Sequence, residues 1–122
     1  MKTVLVIDDS HMMKSFVEKF VHDVDVEQVY RIPDDISTLM RYDALVVDGD
    51  GIGNEKYRKG IDLLMDYDKP EWQSVVYYSG HGAYGKDRDE LEKRGVAVVT
   101  KGSNPEKLSL AIKFAMEKTK GE

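Results

Sequence analysis

The sequence predicts an α/β domain in which one parallel sheet carries helices on both faces. Short apolar runs alternate along the chain with segments of helical periodicity, and strands connected by right-handed helical crossovers form parallel sheets. The apolar runs are continuous rather than alternating, which is typical of strands covered on both faces. The length of 122 residues favours a single domain over residues 1–122.

Four apolar runs, rich in β-branched and aromatic residues, are predicted as buried strands: Val4–Ile7, Ala44–Val47, Val75–Tyr78 and Val96–Val99. A fifth segment, Val24–Ile32, mixes Val and Ile with charged residues. That mixture favours a strand at the edge of the sheet.

The first predicted helix follows Ser10, a candidate N-cap, and its apolar residues recur at the spacing of one helix face: Met13, Phe16, Val17, Phe20 and Val21. Ser103 and Glu106 form a capping-box pattern with Pro105 in the first turn, which predicts a helix towards the carboxyl end.

The remaining helical segments carry weaker patterns. Ile61, Leu64 and Met65 suggest another helix. Ala83–Arg94 has many charges and a thin apolar face, and Pro33–Arg41 has room for two turns at most.

Composition excludes several function classes. The chain holds 18 Lys and Arg against 23 Asp and Glu, a net charge of -5, which argues against nucleic-acid binding because phosphates require a basic face. The lack of cysteine excludes disulfides and thiolate chemistry. Without an apolar stretch of roughly 20 residues we expect no membrane insertion. The amino terminus is unlike a signal peptide, so we expect a soluble, cytoplasmic protein.

Polar residues follow four of the predicted strands. Asp8 and Asp9 follow the first run, Asp48 follows Ala44–Val47, Ser79 follows the next run, and Lys101 lies two positions after the last. The carboxyl ends of parallel strands share one edge, where ligands bind. Clustered carboxylates persist only if a cation neutralises them or their pKa values rise. Hard oxygen ligands suit Mg²⁺.

This set of residues suggests phosphoryl transfer to Asp48. A metal-bound aspartate can act as a nucleophile towards phosphorus. Ser79 and Lys101 would then donate to the phosphoryl oxygens and neutralise developing charge.

Taken together, four motifs resemble those of response-regulator receiver domains: Val-Leu-Val-Ile-Asp-Asp-Ser, Tyr-Asp-Ala-Leu-Val-Val-Asp, Val-Val-Tyr-Tyr-Ser-Gly and Val-Val-Thr-Lys. The resemblance extends from Lys2 to about Lys120. It implies a flavodoxin-like, doubly wound sheet of five parallel strands in the order 2-1-3-4-5, with five helices on both faces.

Site roles follow from the resemblance, position by position. Asp48 is implied as the phosphoacceptor, with Asp9 and Asp48 binding Mg²⁺ directly and Asp8 acting mainly through water. The backbone carbonyl of Asp50 is implied as a further ligand. In the same way Ser79 is implied as the switch hydroxyl and Lys101 as the phosphoryl-binding residue.

Three features depart from the receiver pattern. The loop from residue 49 to residue 54 replaces the usual Met-Pro and is longer, Gly102 replaces the proline that would follow Lys101, and Val98 occupies the position of the switch aromatic. The departure at Gly102 makes the family's cis peptide doubtful, because a non-proline cis bond costs roughly 2.5–4 kcal/mol.

Two residues near the site, Asp50 and His81, are candidate modulators. The side chain of Asp50 would add a fourth carboxylate, which could strengthen metal binding or repel a phosphoryl group. His81 could affect the lifetime of the aspartyl phosphate or merely cap a turn. The segment around Tyr84 is our candidate for the part that moves on phosphorylation.

The sequence is compatible with three functions. The first is a stand-alone receiver that accepts a phosphoryl group on Asp48 from a histidine kinase or phosphotransfer protein with Mg²⁺, and then contacts a downstream target protein. Such a domain is no enzyme beyond catalysing its own phosphorylation and dephosphorylation. The second is a receiver-like binding module that works without phosphorylation. The third is a Mg²⁺-dependent phosphohydrolase, for which only His81 or Asp50 offers a base.

Overall fold

The structure, a computed structural model, describes residues 2–80, 83–102 and 105–120. One sheet holds five strands in the order β2-β1-β3-β4-β5, and all neighbouring strands are parallel. The strands are β1 (Lys2–Ile7), β2 (Val24–Val29), β3 (Ala44–Asp48), β4 (Ser74–Ser79) and β5 (Val96–Thr100). The predicted flavodoxin-like fold class and strand order are therefore confirmed.

Five helices connect or follow the strands within the described residues. The α-helices are α1 (Met13–Phe20), α2 (Gly60–Asp66), α3 (Gly85–Lys93) and α4 (Pro105–Lys120), and a short 3-10 helix spans Ile36–Arg41. Over the described ranges, none of these helices has both the length and the apolar character needed to cross a bilayer.

The sheet divides the core into two layers, because successive strand side chains point to opposite faces. One layer joins β1 to the 3-10 helix, α2 and α3 through Leu5, Ile7, Leu39, Leu63 and Leu91. The other joins β1 to α1 and α4 through Val4, Val6, Val17, Leu108 and Ile112. Leu91 is the single buried residue of α3, as its charged sequence predicts.

The predicted N-cap of the first helix is wrong. Met12, in a helical conformation and without a side-chain cap, precedes α1. Ser10 instead donates its backbone N–H to Asp8 Oδ1 at 2.8 Å, and its carbonyl accepts the N–H of Met13 at 3.2 Å. The carboxylate of Asp8 therefore fixes Ser10 in the turn that precedes the helix.

The second strand ends earlier than predicted. The strand stops at Val29, and the buried Ile32 donates its N–H to the carbonyl of Ile52 at 2.7 Å. The chain thus leaves the sheet to pair with the loop after β3. The Ser103 capping box lies partly outside the described residues.

A buried side-chain amide holds the 3-10 helix against β4. Gln73, 1% exposed, donates from Nε2 to the carbonyls of Leu39 at 2.6 Å and Tyr42 at 2.9 Å. Its Oε1 accepts the hydroxyl proton of Tyr67 at 2.6 Å. This one amide therefore joins the end of the 3-10 helix to the segment that leads into β4.

Replacing Gln73 by Leu should lower the free energy of unfolding by about 3 kcal/mol, because a buried polar group left without its partner costs about 1–3 kcal/mol. Tyr67→Phe removes one of the three hydrogen bonds and should cost about 1 kcal/mol. Urea unfolding measures both, with the exposed Glu71→Ala as the control. A Gln73→Leu variant as stable as the control would contradict the role of this amide.

Candidate functional site

The carboxyl ends of four strands bring the predicted site residues to one edge of the sheet. Asp8 follows β1, Asp48 and Ser79 end β3 and β4, and Lys101 follows β5. Lys101 also donates its backbone N–H to the carbonyl of Ser79 at 2.8 Å, which continues the β4–β5 pairing past Thr100.

The ammonium of Lys101 is shared by two buried carboxylates. Lys101 Nζ lies 2.9 Å from Asp8 Oδ2 and 3.1 Å from Asp48 Oδ1. The side chains of the two aspartates are 1% and 8% exposed, so water offers their charges little solvation. One lysine therefore provides the nearby positive charge for both carboxylates.

Competing effects set the pKa of Asp48. Burial raises the pKa of this carboxyl and the charge of Asp8 raises it further, while Lys101 and the N–H of Gly49 oppose the increase, leaving the pKa above its ordinary value. Burial by itself would lower the pKa of Lys101, but the two carboxylates outweigh it and the pKa is raised. Lys101 consequently stays charged at neutral pH.

Within the described residues, three carboxylates lie close enough to bind one cation. Oxygen atoms of Asp8, Asp9 and Asp48 lie within 4.8 Å of one another. Asp8 and Asp48 are buried, whereas Asp9 is exposed, so the cluster has a side open to solvent. Hard oxygen donors with room for water are the ligands that Mg²⁺ prefers, and the residues present fit that ion.

The side chain of Asp50 takes a different direction from these three. Its carboxylate is 3.9 Å from Lys59 Nζ, and both side chains are more than half exposed. The cluster of carboxylates found in the described chain does not include it. Its backbone carbonyl as a metal ligand stays a prediction, and His81 lies outside the described residues.

The backbone after Asp48 is closely covered by side chains of β4. Gly49 donates its N–H to Asp48 Oδ1 at 2.7 Å. A Cβ on Gly49 would lie 2.7 Å from the hydroxyl oxygen of Tyr77 and 2.8 Å from Ser79 Cβ, closer than real Cβ contacts. Glycine at this position therefore lets Ser79 and Tyr77 approach the segment that carries Asp48.

A second glycine adjoins Asp9. Gly51 has φ +81°, and a Cβ there would lie 2.8 Å from Asp9 Cγ. Both the conformation and the space favour glycine. The run of glycines that departs from the receiver pattern thus permits close packing around the carboxylates.

Gln28 is a residue of this region that the sequence analysis missed. Its Nε2 donates to the carbonyls of Asp8 at 2.9 Å and Ser10 at 2.7 Å, and its Oε1 accepts the N–H of Lys14 at 2.8 Å. The amide fixes the loop that holds Asp8 and Asp9. The sequence showed only that Gln28 is a polar residue in a predicted edge strand. The structure pairs it with Val6 of β1.

The two tyrosines of β4 were also missed. The ammonium of Lys101 lies 5.6 Å from the centre of the Tyr78 ring, and the Tyr77 hydroxyl and Ser79 both pack against Gly49. The apolar run Val75–Tyr78 identifies them as strand residues. The run does not predict which groups the Tyr77 hydroxyl and the Tyr78 ring contact.

The structure describes two of the positions that depart from the receiver pattern, Gly102 and Val98. All described peptide bonds are trans, and Gly102 adopts φ +84°. Val98 is half-buried and pairs with Tyr77 across β4 and β5.

Several solved structures with the same fold are receiver domains. The chain resembles a CheY-like response regulator receiver domain from Methanospirillum hungatei (17% identity, 100% of this chain and 99% of that one, TM-score 0.74). It also resembles the signal receiver domain of a putative Luxo repressor protein from Vibrio parahaemolyticus (18%, 98% and 92%, TM-score 0.75). A receiver domain from Clostridium thermocellum is similar (20%, 98% and 98%, TM-score 0.69).

No protein-family model matches the sequence, and the comparison with curated proteins finds no match. The structural likeness covers the whole chain at low sequence identity. The chain therefore has the CheY-like receiver fold with a divergent sequence.

The Gly49→Ala variant should be less stable by about 1–3 kcal/mol, because its methyl group would overlap Tyr77 and Ser79 and force them or the backbone to move. Urea unfolding measures the change. Gly80→Ala is the matched control, since a Cβ at Gly80 meets nothing within 4 Å. Equal stability of the two variants would contradict the close packing at Gly49.

The Lys101→Met variant should lose about 3 kcal/mol of stability at pH 7 without Mg²⁺, the lower end of the cost of breaking a buried ion pair. Adding Asp8→Asn should recover part of the loss, because one unpaired carboxylate is then removed. Urea unfolding in a chelating buffer measures all variants, with the exposed Lys107→Met as control. If Lys101→Met and Lys107→Met are equally stable, the shared ammonium is unimportant for folding.

Proposed function

We propose that this chain is a two-component signalling receiver that accepts a phosphoryl group on Asp48 with Mg²⁺. The main support for this proposal is the placement of Lys101 between Asp8 and Asp48, with Asp9 beside them. It provides an acceptor, a cation-binding cluster and a phosphoryl-binding ammonium at one edge of the sheet. The receiver fold of the chain agrees with this function.

The transfer step uses Asp48 as the nucleophile. A carboxylate oxygen of Asp48 attacks phosphorus, the bond between phosphorus and the donor breaks, and the donor leaves with the bonding electrons. Asp8 and Asp9, together with Asp48, would hold Mg²⁺. The bound ion supplies positive charge to the phosphoryl oxygens.

Lys101 and Ser79 stabilise the transferred group. The ammonium already contacts Asp48 Oδ1 at 3.1 Å, so it can donate to an oxygen of a phosphoryl group on that residue. Ser79, at the end of the neighbouring strand, supplies a hydroxyl donor. Donors fixed before the reaction lower the energy of developing charge without reorganisation.

The natural donor in this proposal is a histidine kinase or a phosphotransfer protein in the cytoplasm. A phosphohistidine donor would break its phosphorus–nitrogen bond in the same step. The chain would catalyse only its own phosphorylation and dephosphorylation. Its output would be contact with a downstream target protein.

Val98 supports a second candidate function. A small aliphatic residue stands beside Tyr77 at the position that the receiver resemblance assigns to an aromatic, which favours a binding module that works without phosphorylation. A Mg²⁺-dependent phosphohydrolase would need a base that activates water. Of the two candidate bases, Asp50 lies within the described residues, and its carboxylate is paired with Lys59.

Incubation with Mg²⁺ and acetyl phosphate should increase the mass of the protein by one phosphoryl group, because the acetate leaves as Asp48 is phosphorylated. Intact-protein mass spectrometry and peptide mapping locate the added group. Asp48→Ala should remain unmodified. Asp25→Asn, an exposed carboxylate on β2, is the matched control and should be modified like the wild type.

Other outcomes would favour the alternatives. No modification, together with no Mg²⁺ binding by calorimetry, would contradict the receiver function and favour the phosphorylation-independent module. Sustained turnover of phosphate esters would favour the phosphohydrolase.

A further inference from the structure

Gln28 connects the edge strand β2 to the loop that carries Asp8 and Asp9. Its register partner on β1 is Val6, and its side chain is half-buried. Its Nε2 donates to the carbonyl of Asp8 at 2.9 Å and to the carbonyl of Ser10 at 2.7 Å. One side-chain amide therefore holds the carbonyl groups of the residues on both sides of Asp9.

The same amide also holds the start of α1. Its Oε1 accepts the backbone N–H of Lys14 at 2.8 Å, in the first turn of a helix whose N-cap residue, Met12, makes no side-chain cap. The first N–H groups of a helix have no partner within the helix and need one from outside. Because Oε1 faces a donor and Nε2 faces two acceptors, the orientation of the amide is unambiguous. Gln28 thus links both the loop and the helix to β2.

The direction of the Asp9 carboxylate depends on the backbone of this loop. The carboxylates of Asp8 and Asp48 are buried and share the ammonium of Lys101. Asp9 is exposed, and Gly51, beside its carboxylate, has no side chain that could restrict it. Rotation of the peptide groups that flank Asp9 would turn its carboxylate away from the other two. A fixed loop keeps one of its oxygens within 4.8 Å of theirs.

We propose that Gln28 is a positioning residue of the cation site: by holding the backbone on both sides of Asp9, it directs the Asp9 carboxylate towards the two buried aspartates. This inference rests on the cation site of the proposed receiver function, and it adds a residue that acts on the cation through Asp9. Groups that orient metal ligands increase the affinity for the metal, because less conformational freedom is then lost when the ion binds.

A titration with Mg²⁺ tests the proposal. The amide chemical shifts of the isotopically labelled protein, followed at Ser10 and Gly49, give the Kd of each variant. Methionine at position 28 keeps a side chain of similar length but cannot make the three hydrogen bonds of the amide. We expect Gln28→Met to weaken Mg²⁺ binding by about tenfold, the lower end of the effect of losing a group that orients a metal ligand.

Two further variants sharpen the test. Gln28→Asn keeps the amide on a side chain that is shorter by one carbon, so it is a milder change that should weaken binding in the same direction. In the Asp9→Ala background, Gln28→Met should have no further effect on the Kd, because the carboxylate through which Gln28 acts has been removed.

Gln73→Met is the matched control. Gln73 also donates to two carbonyls and accepts one proton, but it precedes β4 and so lies at the amino edge of the sheet, opposite the site. Its substitution should lower the stability and leave the Kd for Mg²⁺ unchanged. Urea unfolding of each variant in a chelating buffer separates stability from affinity.

The outcomes distinguish this inference from the proposed function. Absence of Mg²⁺ binding by the wild type would overturn the receiver function and this inference with it. Wild-type binding with an unchanged Kd in Gln28→Met would overturn the inference alone. An equal weakening in the presence and absence of the Asp9 carboxylate would also overturn it, because Gln28 would then act by another route. So would an equal change in Gln73→Met, since a general loosening of the fold would explain both.

Discussion

The ammonium of Lys101, shared between Asp8 and Asp48, is the interaction on which the carboxyl edge of the sheet depends. Lys101 follows β5, whereas Asp8 follows β1, and β3 and β4 lie between them in the sheet. The contact therefore requires β1, β3, β4 and β5 to end at the same edge of the sheet. Two buried carboxylates without this lysine would be poorly solvated and mutually repulsive.

Close backbone packing supports the same edge. Gly49 lets Tyr77 and Ser79 approach Asp48, and Gly51 adopts a conformation that favours glycine beside Asp9. Gln28 fixes the loop on the other side of the carboxylates. The glycine-rich loop and the polar residue in the edge strand, which look like irregularities in the sequence, have definite structural functions here.

Sequence patterns predicted strands better than helix ends. A continuous apolar run, such as the one ending at Tyr78, carries its own signal because burial on both faces requires it. The start of a helix depends on competing hydrogen bonds. Here the carboxylate of Asp8 accepts the backbone N–H of Ser10, a contact that the residue type at the N-cap position does not predict. The early end of β2 has a similar cause, since Ile32 pairs with the distant Ile52.

The sequence by itself determined the fold class, the five strands and the set of polar residues at their carboxyl ends, because apolar runs, helical periodicity and the residues that follow them are properties of local segments. Only the tertiary structure decided which of these polar groups meet. It directed Asp50 to Lys59 rather than to the carboxylate cluster, and it brought the Tyr77 hydroxyl and Ser79 against Gly49. Such contacts depend on side-chain direction and on loops brought together from distant parts of the chain, and no local pattern encodes them.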